Sequence, residues 1–257
     1  MGQNFLVDPA ARARLLAALA PQPRDRFVEI GPGKGEITAE LARSAAAVVA
    51  VELDPHLAEQ TRDRCRDLPN VTVIHGDALE LNLAQFSEGI PASLRLFGNL
   101  PYATATAILR HLLDQWRWIL DLTVLLQREV AERVAAQPGT REYGFLSLIV
   151  QLRATVEPLV DLGPRSFRPR PQVASRLIRL RPFAQPPDWP PALEPLLEAA
   201  FGYRRKQLLG ALTLHSAFAN REDLKRAFER AGIPPTVRGE TLTSAEFIRL
   251  AKALGAS

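Results

Sequence analysis

Three glycines within five residues, Gly31-Pro32-Gly33-Lys34-Gly35, follow the apolar run Phe27-Val28-Glu29-Ile30 and precede a helical pattern over Glu36 to Arg43. A strand, a tight turn and a helix in that order commit this part of the chain to an α/β layer. Glycine allows the backbone to turn sharply and approach a ligand, because no Cβ stands in the way. A dinucleotide turn spaced GxGxxG would carry its last glycine at position 36, where this chain has Glu36. The loop therefore suits a ligand without a pyrophosphate. A purely structural turn is the alternative reading of the same residues.

The pattern continues. Ala47 to Val51, Val71 to Ile74, Leu94 to Phe97 and Leu122 to Leu126 read as strands. Pro55 to Arg66, Ala103 to Leu113 and Glu129 to Ala136 read as helices, the first with Asp54 as N-cap and Pro55 at the first helical position. Such alternation predicts an α/β fold with a mostly parallel sheet and helices on both faces, and ligands bind such sheets at the carboxyl ends of the strands. Pro182 to Pro191 is too rich in proline for a helix interior or a central strand and reads as a linker. Beyond it lie four amphipathic patterns, Leu193 to Phe201, Arg204 to Leu214, Arg221 to Ala231 and Ser244 to Leu254. The expected division is an α/β domain over 1–184 and a small helical domain over 185–257.

Composition narrows the function. No apolar run reaches the ~20 residues of a membrane helix, and MGQNFLVDPAARARLL lacks the apolar core of a secretion signal. The single Cys65 excludes an internal disulfide and a thiolate zinc cluster, which fits a reducing cytoplasm. His56, His75, His111 and His215 are scattered, so no nucleophilic triad or metal site is expected. The net charge is +4, yet Arg165 to Arg181 alone holds six arginines and no acid. Arg204-Arg205-Lys206 is a second basic knot. Clusters of this kind suit nucleic acid, where each phosphate contact releases counterions. Arg165, Arg168, Arg170, Arg204, Arg205 and Lys206 are the candidate RNA contacts. Only four basic residues are lysines, so part of the arginine content is compositional.

Three further strand ends carry chemistry. Glu52 closes the second strand, where a carboxylate can accept both hydroxyls of a ribose. In Gly76-Asp77-Ala78-Leu79, Asp77 can accept from an adenine amine, with Leu53 and Ala78 against the ring. Together with the glycine loop (Gly31, Gly33, Gly35) these describe an adenosine-containing ligand without phosphate, for which S-adenosylmethionine is the obvious candidate. Asn99-Leu100-Pro101-Tyr102 follows the fourth strand. An exocyclic adenine amine is a poor nucleophile because its lone pair is delocalised. The Asn99 side-chain oxygen and the Pro101 carbonyl could each accept one N–H and turn that lone pair toward a methyl donor, while Tyr102 stacks on the base. Such catalysis is positioning and charge preorganisation.

With these motifs the chain resembles the ribosomal RNA adenine dimethyltransferase family, closest to its small-subunit branch. The resemblance spans Gly2 to Leu6, VEIGPGKGEIT at 28–38, GDAL at 76–79, NLPY at 99–102, YGFLSLIVQ at 143–151 and Phe167 to Ser175. In the helical domain it includes Arg204-Arg205-Lys206, Arg238-Gly239-Glu240, Leu242, Thr243, Glu246 and Phe247. It implies a Rossmann-like methyltransferase domain and a helical C-terminal rRNA-binding domain. It also implies transfer of four methyl groups to two adjacent adenosines in a hairpin loop near the 3′ end of small-subunit rRNA. Gln3, Asn4 and Leu6 would lie near the cofactor, as would Gly31, Glu52, Asp77 and Asn99. Phe167 would face Tyr102 across the target base. Extruding a loop base costs a few kcal/mol, and aromatic stacking returns about 1–3 kcal/mol per base. Lys34 departs toward the macrolide-resistance relatives that act on large-subunit rRNA, whereas Pro32 and the C-terminal motifs match the small-subunit group. The family usually carries a basic stretch ahead of GQNFL, which here follows Met1 directly. The competing readings are the large-subunit enzyme and an assembly factor that acts mainly by binding immature small subunits. A nicotinamide oxidoreductase is disfavoured by Glu36. A monomer is expected.

Overall fold

The structure is a computed structural model that describes residues 4–100, 104–218 and 220–255. It divides into two compact units, Met1–Ala131 with Arg153–Ala184, and Glu132–Leu152 with Gln185–Ser257.

In the first unit the chain runs β1 (Phe5–Leu6), α1 (Pro9–Leu19), β2 (Arg26–Ile30), α2 (Glu36–Ala42), β3 (Ala47–Glu52), α3 (Pro55–Arg64), β4 (Val71–His75), β5 (Leu94–Asn99), α4 (Ala105–Asp114) and β6 (Ile119–Gln127). Helix α5 (Arg128–Ala135) leads out of it. All five expected strands are present. Asp54 caps α3 as expected, accepting from the His56 and Leu57 N–H groups. The chain then forms α6 (Phe145–Gln151) and re-enters the first unit with β7 (Ala154–Leu162), β8 (Phe167–Arg168) and β9 (Ser175–Pro182). Seven strands pair in the order β4-β3-β2-β5-β6-β9-β7. The first five are parallel, and β9 lies antiparallel between β6 and β7. The order reverses between β2 and β5, which opens a crevice at their carboxyl ends.

Strands β7 and β9 change the meaning of the arginine-rich segment. In β9 arginine alternates with buried Leu177, Ile178 and Leu180. Its arginines meet acids of neighbouring strands: Arg176 with Asp161 at 2.5 Å, Arg181 with Glu157 at 2.6 Å, and Arg179 with Asp121 at 3.9 Å. Half of the apparent +6 is thus neutralised by acids that are near in space and far in sequence. Arg165, Arg168 and Arg170 remain exposed.

A buried ion network anchors α1 beneath the sheet. Arg95 on β5 is only 7% exposed. Its guanidinium bonds Asp25 at 2.6 Å and Asp121 at 3.1 Å, and donates to the Leu19 carbonyl at 2.7 Å. Arg179 donates to the Ala18 carbonyl. The last carbonyls of a helix lack intrahelical partners and carry its negative end, so two guanidinium groups there satisfy both needs.

The second unit continues with α7 (Leu193–Gly202), α8 (Leu208–Leu212), α9 (Arg221–Ala231) and α10 (Ser244–Gly255). No regular element forms over 183–192. The expected single boundary at 184/185 is joined by a second exchange at 132–152. The reason is packing: Tyr143, Leu148, Ile149 and Leu152 belong to the same core as Leu196, Leu197, Phe228 and Phe247. The fully buried Tyr143 donates its hydroxyl to the Leu242 carbonyl at 2.9 Å. The helix expected over Arg204 to Leu214 shrinks to α8, and Arg204 to Lys206 lie in a turn.

Candidate active site

The expected strand-end motifs converge on adjacent strands. The glycine loop follows β2, Glu52 ends β3, Asp77 follows β4, and Asn99 ends β5. Two backbone bonds tie neighbouring ends together, Gly31 N–H to the Val51 carbonyl and Gly76 N–H to the Glu52 carbonyl, both at 2.9 Å.

Within the loop Gly31, Gly33 and Gly35 all have positive φ, between 63° and 73°. At Gly33 the ring of Phe5 lies 3.1 Å from where a Cβ would stand. At Gly35 a Cβ would fall 2.9 Å from Thr61 Cγ2 and 3.1 Å from Thr61 Cα, a backbone-anchored atom. Gly35→Ala should therefore cost more than the roughly 1–2 kcal/mol of a left-handed non-glycine residue, because α2 and α3 must also separate. We expect cofactor affinity to fall at least about tenfold, the equivalent of 1.4 kcal/mol. Unchanged calorimetric affinity for S-adenosylhomocysteine would contradict this.

Glu52 is 1% exposed. One carboxylate oxygen accepts from Gly33 N–H at 3.0 Å and the other from Asp54 N–H at 3.1 Å. Each oxygen keeps a second lone pair. The Thr61 hydroxyl donates to the Gly33 carbonyl at 3.0 Å, so both polar groups of Gly33 are held. Asp77 accepts from Leu79 N–H through one oxygen, which leaves the other for a ligand donor. Leu53 is 50% and Leu79 39% exposed, whereas Ala78 is buried. The Asn99 Nδ2 donates to the Asn4 carbonyl at 3.0 Å. Among the described residues its Oδ1 receives no donor. The acceptor-rich set fits a ligand with hydroxyl and amine donors. Glu36, in the first turn of α2, puts an acid where a phosphate would need the helix N-terminus.

Gln3, Pro101 and Tyr102 lie outside the described residues. Phe167 is 1% exposed, paired with Leu6 across β1 and β8, and packed in the core with Leu15, Phe27 and Leu177. The ring is thus enclosed by apolar neighbours in this structure. The apolar environment between β1 and β8 decides this against the flanking arginines. Arg204 bonds Glu240 at 2.6 Å and the Thr140 carbonyl at 3.1 Å, so it is committed within the helical unit. Arg205 and Lys206 stay exposed. Among the described residues no cluster of His, Cys, Asp or Glu could hold a metal, and no helix is long and apolar enough to cross a membrane.

Glu29 escaped sequence reasoning, although an acid inside the apolar run Phe27 to Ile30 was the available signal. It is 2% exposed in β2, and its Oε2 has no hydrogen-bond partner among the described residues. Burial pushes its carboxyl up to about 7; the Thr38 hydroxyl opposes the shift and the Glu52 carboxylate adds to it. Between its ordinary value of 4.5 and about 7, the folded chain holds a proton that the unfolded chain has released. Stability therefore falls as pH rises through that window and levels off above it. Glu29→Gln should raise stability at pH 8 by on the order of 3 kcal/mol and change it little at pH 4.5. Denaturant unfolding at both pH values checks this, and a gain independent of pH would contradict it.

Acceptors without a phosphate cradle, set at the switch crevice of a parallel sheet, define the class: a Rossmann-like enzyme that uses S-adenosylmethionine as methyl donor. The family described as "Ribosomal RNA adenine dimethylase" matches residues 1–255, and the chain belongs to that family. It is 40% identical over 255 residues to "Ribosomal RNA small subunit methyltransferase A" of Methylococcus capsulatus, covering 98% of this chain and 96% of the relative. It is 39% identical over 256 residues to the protein of the same name from Pseudomonas aeruginosa, covering 98% and 92%. Among solved structures, a dimethyladenosine transferase from Plasmodium falciparum superposes with TM-score 0.78 at 22% identity, covering 96% and 95% of the two chains. The 23S rRNA methyltransferase ErmE superposes with TM-score 0.67 at 26% identity, covering 97% and 99%.

Proposed function

We propose that this enzyme dimethylates the N6 amines of two adjacent adenosines in a hairpin loop near the 3′ end of small-subunit (16S) rRNA, as a step in small-subunit biogenesis. The observation that carries the reaction is the Asn99 amide. With Nδ2 given to the Asn4 carbonyl, the amide's orientation is set and Oδ1 is the atom left to accept. An acceptor there takes one N–H of the target amine and draws its lone pair out of the ring. Bound S-adenosylmethionine supplies the electrophilic methyl group. Glu52 and Asp77 hold ribose and adenine donors, Leu53 and Ala78 flank the ring, and the glycine loop admits the ligand's close approach. Gln3, Asn4 and Leu6 border the cofactor. Pro101 supplies the second acceptor and Tyr102 the stacking surface. Because the proton can leave after transfer, the protein needs no strong base, and its contribution is positioning.

Arg165, Arg168, Arg170, Arg205 and Lys206 contact rRNA phosphates, with Arg204 shaping its turn. The enzyme works in the cytoplasm as a monomer. The small subunit is favoured as substrate by the names of the relatives at 36–40% identity, against 26% for the large-subunit enzyme. The test is methyl transfer from labelled S-adenosylmethionine to small subunits lacking the modification, with large subunits as control. Dimethyladenosine in small-subunit RNA alone is expected. Label in large-subunit RNA alone would overturn the substrate assignment.

A further inference from the structure

The segment from Asn4 to Asp8 touches three separate parts of the first unit. Strand β1 pairs with β8, and the Val7 and Asp8 N–H groups both donate to the Ser166 carbonyl. The Ser166 hydroxyl in turn donates to Asp8 Oδ2 at 3.2 Å. At the other end the Asn4 carbonyl receives the Asn99 amide. Between these two anchors the Phe5 ring packs against Gly33, with Cδ1 and Cε1 each 3.1 Å from the Cβ position that glycine leaves empty. Lys34 Nζ stands 5.3 Å from the same ring's centroid. Phe5 is half-buried and is absent from the buried core, in contrast to Leu6 beside it. Among the described residues its ring packs against the loop, at Gly33 and Lys34.

The geometry points to Phe5 as a positioning residue for methyl transfer: its ring, seated on Gly33 and Lys34, holds the adjoining Asn4 carbonyl where it orients the Asn99 amide. This rests on the reading of Asn99 Oδ1 as the acceptor of the target amine. An asparagine amide is nearly symmetric in shape, and only its hydrogen bonds tell oxygen from nitrogen. If the Asn4 carbonyl is displaced, the amide can turn, and Nδ2 then faces an amine that has only N–H to offer. Phe5 is the side chain that fixes where residue 4 sits relative to the crevice. It does so without being needed for the loop's own shape, since Gly33 N–H is held by Glu52 and the Gly33 carbonyl by Thr61.

The two consequences separate. Phe5→Leu keeps an apolar side chain for folding and loses the flat ring. Its single-turnover methyl transfer, at saturating S-adenosylmethionine and RNA, should slow by about ten- to a hundredfold. Its affinity for S-adenosylhomocysteine should stay within about threefold, under 1 kcal/mol by the usual conversion. Phe5→Tyr keeps the ring and should restore the rate. Labelled asparagine gives a spectroscopic check: the Asn99 side-chain NH2 signals, assigned by their loss in Asn99→Ala, should move in Phe5→Leu and stay in Phe5→Tyr. Transfer at the wild-type rate in Phe5→Leu would overturn the proposal. So would a slow rate with unmoved Asn99 signals, or a loss confined to cofactor affinity. Transfer at the wild-type rate in Asn99→Ala would instead sink the underlying reading of Asn99.

Discussion

Asn99→Ala is expected to lower single-turnover methyl transfer by about a hundred- to a thousandfold, the range seen when one preorganised hydrogen-bonding group is removed from a reaction centre. Affinity for S-adenosylhomocysteine and for the small subunit should change only a few-fold. The cofactor keeps Glu52, Asp77 and the glycine loop, and the RNA keeps its exposed arginines. Asn99→Asp separates acceptor strength from orientation. A carboxylate is a stronger acceptor than an amide but has no N–H for the Asn4 carbonyl, which stands 3.0 Å from Nδ2 in the native chain. If orientation matters, Asn99→Asp should be nearly as slow as Asn99→Ala. A rate close to wild type would mean that acceptor strength alone suffices. Loss of small-subunit binding in Asn99→Ala would mean that the asparagine holds RNA rather than activating it.

The largest stability effect is expected at Arg95. Arg95→Met keeps the apolar length of the side chain and removes the guanidinium. Asp25 then loses its guanidinium partner, Asp121 keeps only the longer contact with Arg179 at 3.9 Å, and the Leu19 and Ala20 carbonyls at the end of α1 lose a donor. Breaking one side of a buried ion pair costs about 3–5 kcal/mol, because the remaining charge stays buried. With about 2–4 °C per kcal/mol in a chain of this size, the melting temperature should drop by roughly 10 °C. Adding Asp121→Leu should recover part of the loss, since removing both partners is far cheaper than removing one. Thermal unfolding of the three proteins decides it. A loss below about 1 kcal/mol in Arg95→Met would place the network in the class of solvated surface pairs.

Much of this protein is legible along its chain. The five parallel strands announce themselves as short apolar runs. The glycine loop, Glu52, Asp77 and Asn99 are each found at a strand end because the αβ alternation allows little else. Asp54 and Pro55 start α3 by local chemistry that needs no partner. These features share one cause: backbone sterics and hydrophobic periodicity act over a few residues, so a few residues suffice to read them. Strand β9 is different. Its alternating arginines look like a solvated basic run until Asp161, Glu157 and Asp121 arrive from β7 and β6.

The same holds elsewhere in the chain. Phe167 sits between arginines and prolines in sequence, yet pairing of β8 with β1 turns its ring inward. Arg204 looks like an RNA contact until Glu240, 36 residues on, takes its guanidinium. Residues 132–152 read as part of the α/β domain until Tyr143 and its neighbours bury themselves among the C-terminal helices. Sequence alone thus determined the five parallel strands, and which of their ends carry acceptors. Only the tertiary structure decided which charges are spent inside the fold, which aromatic rings are enclosed, and which way the Asn99 amide faces. Those outcomes depend on Coulomb and packing contacts between residues far apart in the chain, and such contacts exist only once the chain has closed.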